Sequence, residues 1–272
     1  MALITIAREL AALGDEVAQE LVRLLGYRLV SKHSIEERIK TLGIAEEQLA
    51  KYDERKPSFF ASLSHERDDY LHYLKTAFIE EAEKGDSVFI GRGVATLFKG
   101  IPGIISLFLT APLEIRLRRV ESYFHCDEKA AHHIIEQSDE NKIGFHLYFF
   151  ESNWRASDQY HLTLNTGVLH PALCAELVQC TLKRTITSEI EEQSALAIKD
   201  LKLGQDVKHY ILYKKRVPIH FLEVSSVKGK VTLYGVANSL PLAETALNAA
   251  QEIHGDVHSE IQVVRDYNNV TF

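Results

Sequence analysis

Leu3-Ile4-Thr5-Ile6-Ala7-Arg8-Glu9-Leu10-Ala11-Ala12-Leu13-Gly14-Asp15 begins with an apolar, β-branched run and ends on a glycine and an acid. Residues 3–6 read as a buried strand, and from about residue 15 to 25 the side chains Val17, Leu21, Leu24 and Leu25 recur at helical spacing. A strand that runs straight into a helix leaves its loop at the carboxyl edge of a sheet, against a helix N-terminus whose free N–H groups attract anions. A phosphate site is therefore expected at residues 7–15. The loop meets that role with few of the usual parts. A phosphate cradle uses glycines for left-handed backbone, a lysine for the outer phosphates and a hydroxyl for magnesium, and only Gly14 is present. Ala11 and Ala12 resist left-handed angles, and Asp15 is expected to cap the helix while repelling a phosphate.

Working outward, residues 27–30 read as a second strand, 31–42 as a helix, 44–53 as another short helix and 55–58 as a break. A long amphipathic helix over 65–84 buries Tyr70, Tyr73, Leu74, Ala77, Phe78 and Ala82 and stops at Gly85-Asp86. Ser87-Val88-Phe89-Ile90 then enters Gly91-Arg92-Gly93. The two glycines allow a sharp turn that aims the arginine into a crevice, or simply a tight turn with a solvated side chain. After the strand 104–109, a helix carries Arg116 and Arg119 on one face. That pair suits clamping a phosphoryl group, or a solvated face paired with glutamates. A further helix from Asp127 leads to Asp139-Glu140-Asn141-Lys142 and the aromatics Phe145, Tyr148, Phe149, Phe150 and Trp154, which at this spacing read as core rather than as a base-stacking surface. A last strand, 160–164, precedes an amphipathic helix over 171–192. Strands alternating with helices predict a parallel sheet covered on both faces.

The polar stretches 188–194 and 200–204 read as a boundary. Beyond it come a helix (205–215), strands at 219–226 and 230–236 joined by Lys228-Gly229, a helix (241–253) and a strand (258–264), a small α+β unit.

The chain has 272 residues and a net charge of −7. From Leu196 onward nine Lys/Arg face eight Asp/Glu, which leaves 22 of the 31 basic and 30 of the 38 acidic residues before it, a balance of −8. Such an acidic larger part argues against nonspecific nucleic-acid binding. The N-terminal stretch has no basic segment followed by an apolar core, and a soluble, cytoplasmic protein is expected. Cys126, Cys174 and Cys180 lack metal spacing and are expected as reduced thiols. The thirteen histidines show no ligand pattern, and no structural metal is expected.

Taken together, Ile4-Thr5-Ile6-Ala7-Arg8-Glu9, Val88-Phe89-Ile90-Gly91-Arg92-Gly93, Ala111-Pro112-Leu113-Glu114-Ile115-Arg116 with Arg119, Asp139, Trp154 and Asn165-Thr166 stand in the order and spacing of the cytidylate kinase-like family. The resemblance covers about residues 2–184. It implies an α/β P-loop kinase fold over 1–192, a parallel sheet flanked by helices. It also implies ATP with Mg2+ as donor and a nucleoside monophosphate or similar small acceptor. It places Arg8, Gly14, Gly91, Arg92 and Gly93 at phosphate-binding positions and Arg116, Arg119, Asp139 and Lys142 at catalytic ones. The chain departs from the pattern at Leu10-Ala11-Ala12-Leu13, where glycines are usual, at Lys142, where an arginine is usual, and at His161, where an aspartate is usual. Lysine cannot make the bidentate fork, and phosphoryl transfer depends on positioning and charge neutralisation. The expectation is a nucleotide-binding protein with a degenerate phosphate loop and weak or lost phosphotransfer, acting as a nucleotide- or partner-binding module. An active ATP-dependent, CMP-like kinase is the alternative.

Residues 200–266 resemble a BON domain through Val227-Lys228-Gly229-Lys230-Val231-Thr232-Leu233-Tyr234-Gly235-Val236, residues 243–250 and Ile253-His254-Gly255-Asp256-Val257, with Gly229 and Gly255 at the two turns. This resemblance implies a protein partner or anionic lipid. Lys208, Lys214, Lys215 and Arg216 are candidates to touch headgroups, or form a solvated helix face.

Overall fold

The computed structural model describes residues 1–44, 46, 49 and 66–264. Most of the short helix expected at 44–53, and the break at 55–58, lie outside the described residues. The chain forms two compact units, Met1–Ser194 and Ala195–Phe272.

In the first unit β1 (Leu3–Arg8), β2 (Arg28–Val30), β3 (Ser87–Ile90), β4 (Ile104–Thr110) and β5 (Leu162–Asn165) form one parallel sheet in the order β2-β3-β1-β4-β5. The strands alternate with α1 (Gly14–Leu25), α2 (Lys32–Leu42), α3 (Glu66–Glu83), α4 (Val94–Leu97), α5 (Leu113–Phe124), α6 (Glu128–Phe150) and α7 (Pro171–Thr185). This is the expected parallel sheet with flanking helices. Central strand β1 is apolar at Leu3, Ile4, Ile6 and Ala7 because both of its faces are covered. Ile4 and Ile6 pack with Val88, Ile90, Leu107 and Leu109 against Val17, Ala18 and Leu21 of α1 and Cys174, Val178 and Leu182 of α7. Phe89 of β3 meets Phe78 and Phe98 edge-on at 6.0 and 5.8 Å. Strand order reverses on either side of β1, so the loops after β1, β3 and β4 open a crevice at the carboxyl edge.

Several local expectations change. α1 begins at Gly14 with Leu13 as its N-cap, and no side chain caps it. Asp15 therefore adds charge to the first turn but no capping hydrogen bond. The helix begun at Asp127 runs on to Phe150, taking in Asp139, Lys142 and most of the aromatic run. Its core side is Phe145 and Phe149, as the spacing predicts. α7 stops at Thr185, and the polar stretch read as a boundary is itself helical, inside α8 (Ser188–His209). Its residues are good helix formers, Glu189 and Glu191 suit the first turn, and Thr187 Oγ1 accepts from the Ile190 N–H at 3.4 Å. No described helix is long and apolar enough to cross a membrane.

The second unit holds β6 (His220–Val227), β7 (Lys230–Ala237), α9 (Leu240–Ile253) and β8 (Val257–Val263), in the sheet order β6-β7-β8. β6 and β7 are antiparallel, β7 and β8 parallel. Val231, Leu233 and Ala237 on alternate positions of β7 bury against Ala243, Ala246, Ala249 and Ala250 of α9 and against Val207 of α8. The hairpin turn puts Lys228 at φ 52° and Gly229 at φ 79°, the pair of left-handed residues of a type I′ turn. Asp200 of α8 holds it, accepting from the N–H groups of Lys228 (2.6 Å) and Gly229 (2.8 Å) and from Ser226 Oγ (3.0 Å). Gly255 follows the helix as expected, but its φ is not positive, so no left-handed requirement selects glycine there.

Asp200→Ala should strip three hydrogen bonds from this turn and destabilise the second unit by about 1–3 kcal/mol, read by urea denaturation. In the native protein the exposed Cys180 should react with a thiol reagent well before Cys174, which is fully buried and whose thiol pKa burial raises, with Cys174 labelled only on unfolding.

Candidate functional site

The loop between β1 and α1 takes the left-handed geometry its composition resists. Ala11 sits at φ 61° and Leu13 at φ 54°, each at a cost of about 1 kcal/mol or more for a residue with a Cβ. Gly14 serves differently from the expectation. It is helical, and its missing Cβ makes room for Arg8, whose Cγ lies 2.5 Å from where that Cβ would stand. The first N–H groups of α1, which have no partner within the helix, then stand beside Arg8.

After β3, Gly91, Arg92 and Gly93 are left-handed in succession, at φ 80°, 58° and 73°. Gly93 admits the Phe150 ring, which a Cβ would meet at 2.2 Å. This turn, Ile6–Arg8, Lys142, Phe145, His146, Trp154 and Tyr160 line an open cleft. Thus Arg8, Gly91, Arg92, Gly93 and Lys142 share one wall system. The Arg8 side chain makes no hydrogen bond or ion pair among the described residues. Arg92 is 3% exposed, donates Nη1 to Tyr70 Oη at 2.8 Å and pairs through Nη2 with Glu36. Tyr160 stacks on Phe108 (5.2 Å) and donates to the Trp154 carbonyl at 2.6 Å; burial pushes its pKa well above the usual tyrosine value. The departure at His161 points away from this chemistry: its Nδ1 accepts from the Ser106 N–H on β4 at 2.9 Å.

Arg116, Arg119 and Asp139 stand behind the loop, outside the cleft lining. Arg116, 4% exposed, donates Nε to the Leu10 carbonyl (2.8 Å), Nη2 to both Asp139 oxygens (3.0 and 2.9 Å) and pairs with Glu9 at 3.4 Å. Arg155 Nη2 lies 2.6 Å from Asp139 and 3.1 Å from Glu9, and Thr110 Oγ1 donates to Glu9 at 2.6 Å. Two arginines and two carboxylates thus neutralise one another. Arg119 donates to the Ala11 carbonyl (2.8 Å) and to the Thr166 carbonyl (2.7 Å). Burial lowers its pKa below the ordinary arginine value, against the pull of Glu16. Lys142 donates to the Arg8 carbonyl at 2.9 Å and, like Arg155, lies 5.5 Å from the Trp154 ring centroid.

Sequence reasoning did not single out Glu9, Thr110, Arg155 and Thr166 as site residues, nor Glu36 and Tyr70. Glu9 and Thr166 lay inside the recognised stretches, and Arg155 follows Trp154. Glu36 carried no local signal, since its partner is 56 residues away.

The residues fit a phosphate better than a magnesium ion. The left-handed loop and open helix N-terminus form a concavity for an anion. The first turn offers Asp15 and Glu16 where a magnesium-binding hydroxyl would stand, and Glu9 is occupied by Arg116, Arg155 and Thr110. Among the described residues no three His, Cys, Asp or Glu side chains cluster as metal ligands. Removing one member of the charge quartet leaves buried charge unpaired, so Asp139→Ala should lower stability by about 3–5 kcal/mol. Guanidinium denaturation followed by fluorescence of Trp154, the single tryptophan, reports it.

Comparison with known proteins agrees with this architecture. The cytidylate kinase-like family model matches residues 3–168, and the BON domain model matches 199–265. No curated protein matches the chain. Among solved structures, an uncharacterized protein from Eubacterium ventriosum is similar at 20% identity and a TM-score of 0.55, covering 68% of this chain and 99% of that one. Shikimate kinase from Bacteroides thetaiotaomicron aligns at 13% identity and a TM-score of 0.43, over 67% and 98%. At 20% identity the likeness to the first speaks to fold alone. With its family model spanning β1 to the turn after β5, the chain belongs to the cytidylate kinase-like family.

Proposed function

We propose that the first unit binds a nucleotide by its phosphates and has lost most or all phosphoryl transfer, acting as a ligand-binding or regulatory module. One observation carries this reading: the arginines at the catalytic positions are spent on the protein itself. Arg116 is shared among Glu9, Asp139 and the Leu10 carbonyl, and Arg119 is held by two carbonyls. A group that must neutralise charge in a transition state needs free donors aimed at it. Arg8 and the loop amides remain to hold phosphates, and ATP is the candidate nucleotide. Arg92 would receive an acceptor phosphate only by leaving Glu36.

A second reading, an active ATP-dependent nucleoside monophosphate kinase, draws support from the left-handed backbone at Ala11 and Leu13, which gives the loop a cradle shape without the usual glycines. For the second unit we propose a protein partner or anionic lipid, in keeping with the BON match. Of the candidates Lys208, Lys214, Lys215 and Arg216, Lys208 is half-buried and Lys215 is paired with Glu252 at 2.8 Å, while Lys214 and Arg216 are exposed.

Titration calorimetry with ATP, with and without magnesium, should show binding at or below about 1 mM, a free energy of roughly −4 kcal/mol. Arg8→Ala should weaken it about tenfold, the loss of one charge-assisted hydrogen bond. A coupled ADP-release assay with CMP should stay at background; sustained turnover would establish the second reading instead.

A further inference from the structure

We infer that Lys142, Arg116, Arg119 and Thr166 are positioning residues that force a glycine-poor loop into cradle shape, each by holding one backbone carbonyl. Every carbonyl from residue 8 to 13 has a donor. Arg8 O accepts from Lys142 Nζ (2.9 Å), Leu10 O from Arg116 Nε (2.8 Å), Ala11 O from Arg119 Nη1 (2.8 Å) and Ala12 O from Thr166 Oγ1 (3.1 Å). Glu9 O accepts from the Ala12 N–H (3.2 Å) and Leu13 O from the Val17 N–H (3.0 Å). Four of the six donors are side chains reaching in from α5, α6 and the turn after β5.

In a trans peptide the C=O and the following N–H point in opposite directions. Holding the carbonyls of Leu10, Ala12 and Leu13 therefore also fixes the directions in which the amides of Ala11, Leu13 and Gly14 point. A loop rich in glycine reaches this arrangement through its own backbone freedom. Here Ala11 and Leu13 are strained, and such strain persists only where surrounding contacts over-determine it. The side chains that glycines would lack supply a second anchor: Leu10 and Ala11 pack against Val120, Ala131 and Ile135 of the α5–α6 hairpin. Arg119 thus shapes the ligand site without touching the ligand, unlike the clamp that its catalytic position implies.

The inference rests on the reading that the loop holds phosphate, and the test separates the two. Arg119→Ala is made in the parent chain and in an Ala11→Gly/Leu13→Gly chain. Two quantities are read in each: ATP affinity by calorimetry, and hydrogen exchange at the Ala12 and Val17 amides by NMR, with the β1 and β4 amides as the fold control. In the parent background the substitution should weaken ATP about tenfold or more and accelerate exchange at Ala12 and Val17 while the strands stay protected. In the glycine background both losses should largely vanish, because the loop no longer needs the clamp. An affinity loss of the same size in both backgrounds would mean that Arg119 contacts phosphate directly, and unchanged exchange in the parent would remove the clamp altogether. If the parent binds no ATP, the phosphate reading falls and the exchange data alone decide the clamp. Should Arg119→Ala not fold, Thr166→Val makes the same comparison: it removes the hydroxyl donor to Ala12 O, along with the contacts of that hydroxyl to the Thr110 carbonyl (3.3 Å) and from Arg119 Nη1 (3.2 Å).

Discussion

Arg116 reaches from α5 to three partners at once: the Glu9 carboxylate at the end of β1, the Asp139 carboxylate on α6 and the Leu10 carbonyl in the loop. Two carboxylates that share the same arginines repel one another unless cations stand between them. Arg116 and Arg155 remove that conflict and tie strand, loop and helix into one charge-balanced assembly. The loop cannot shift without disturbing the quartet, and α6 cannot tilt without moving Lys142 and the Trp154 surroundings. The cleft wall on that side is therefore set by electrostatics behind it.

The same assembly determines how the positive charge of this kinase-like architecture is used. In this chain the positive charge is held in place by being used, with Arg116 on carboxylates, Arg119 on carbonyls and Arg92 on Glu36. What is left facing the cleft is Arg8, with Lys142 donating to the Arg8 carbonyl.

The sheet was legible because strands covered on both faces are written as short apolar runs, and β1, β3 and β4 are such runs. The joint order of weak sequence stretches carried the family, and the turn glycines carried the second unit. Other features were hidden for physical reasons. The polar stretch 188–194, expected as a boundary, gave no sign of the helix that runs through it, although it contains neither glycine nor proline. The left-handed loop was judged from intrinsic preference alone, whereas Lys142, Arg116, Arg119 and Thr166 act on it from distances of 106 to 154 residues. Pairings such as Arg92 with Glu36 leave no periodic trace, so no reading of local pattern finds them.

Asp200 and Gly204 give the second unit an unusual dependence. The acid that closes the β6–β7 turn lies on α8, ahead of every strand in that unit, and the Val224 carbonyl approaches within 3.0 Å of where a Cβ on Gly204 would stand. The hairpin thus leans on a helix that a purely strand-based reading of the domain would discard as a linker. A graft of this module onto another protein has to carry α8 from before Asp200, or it transfers a sheet whose first turn has lost its lock.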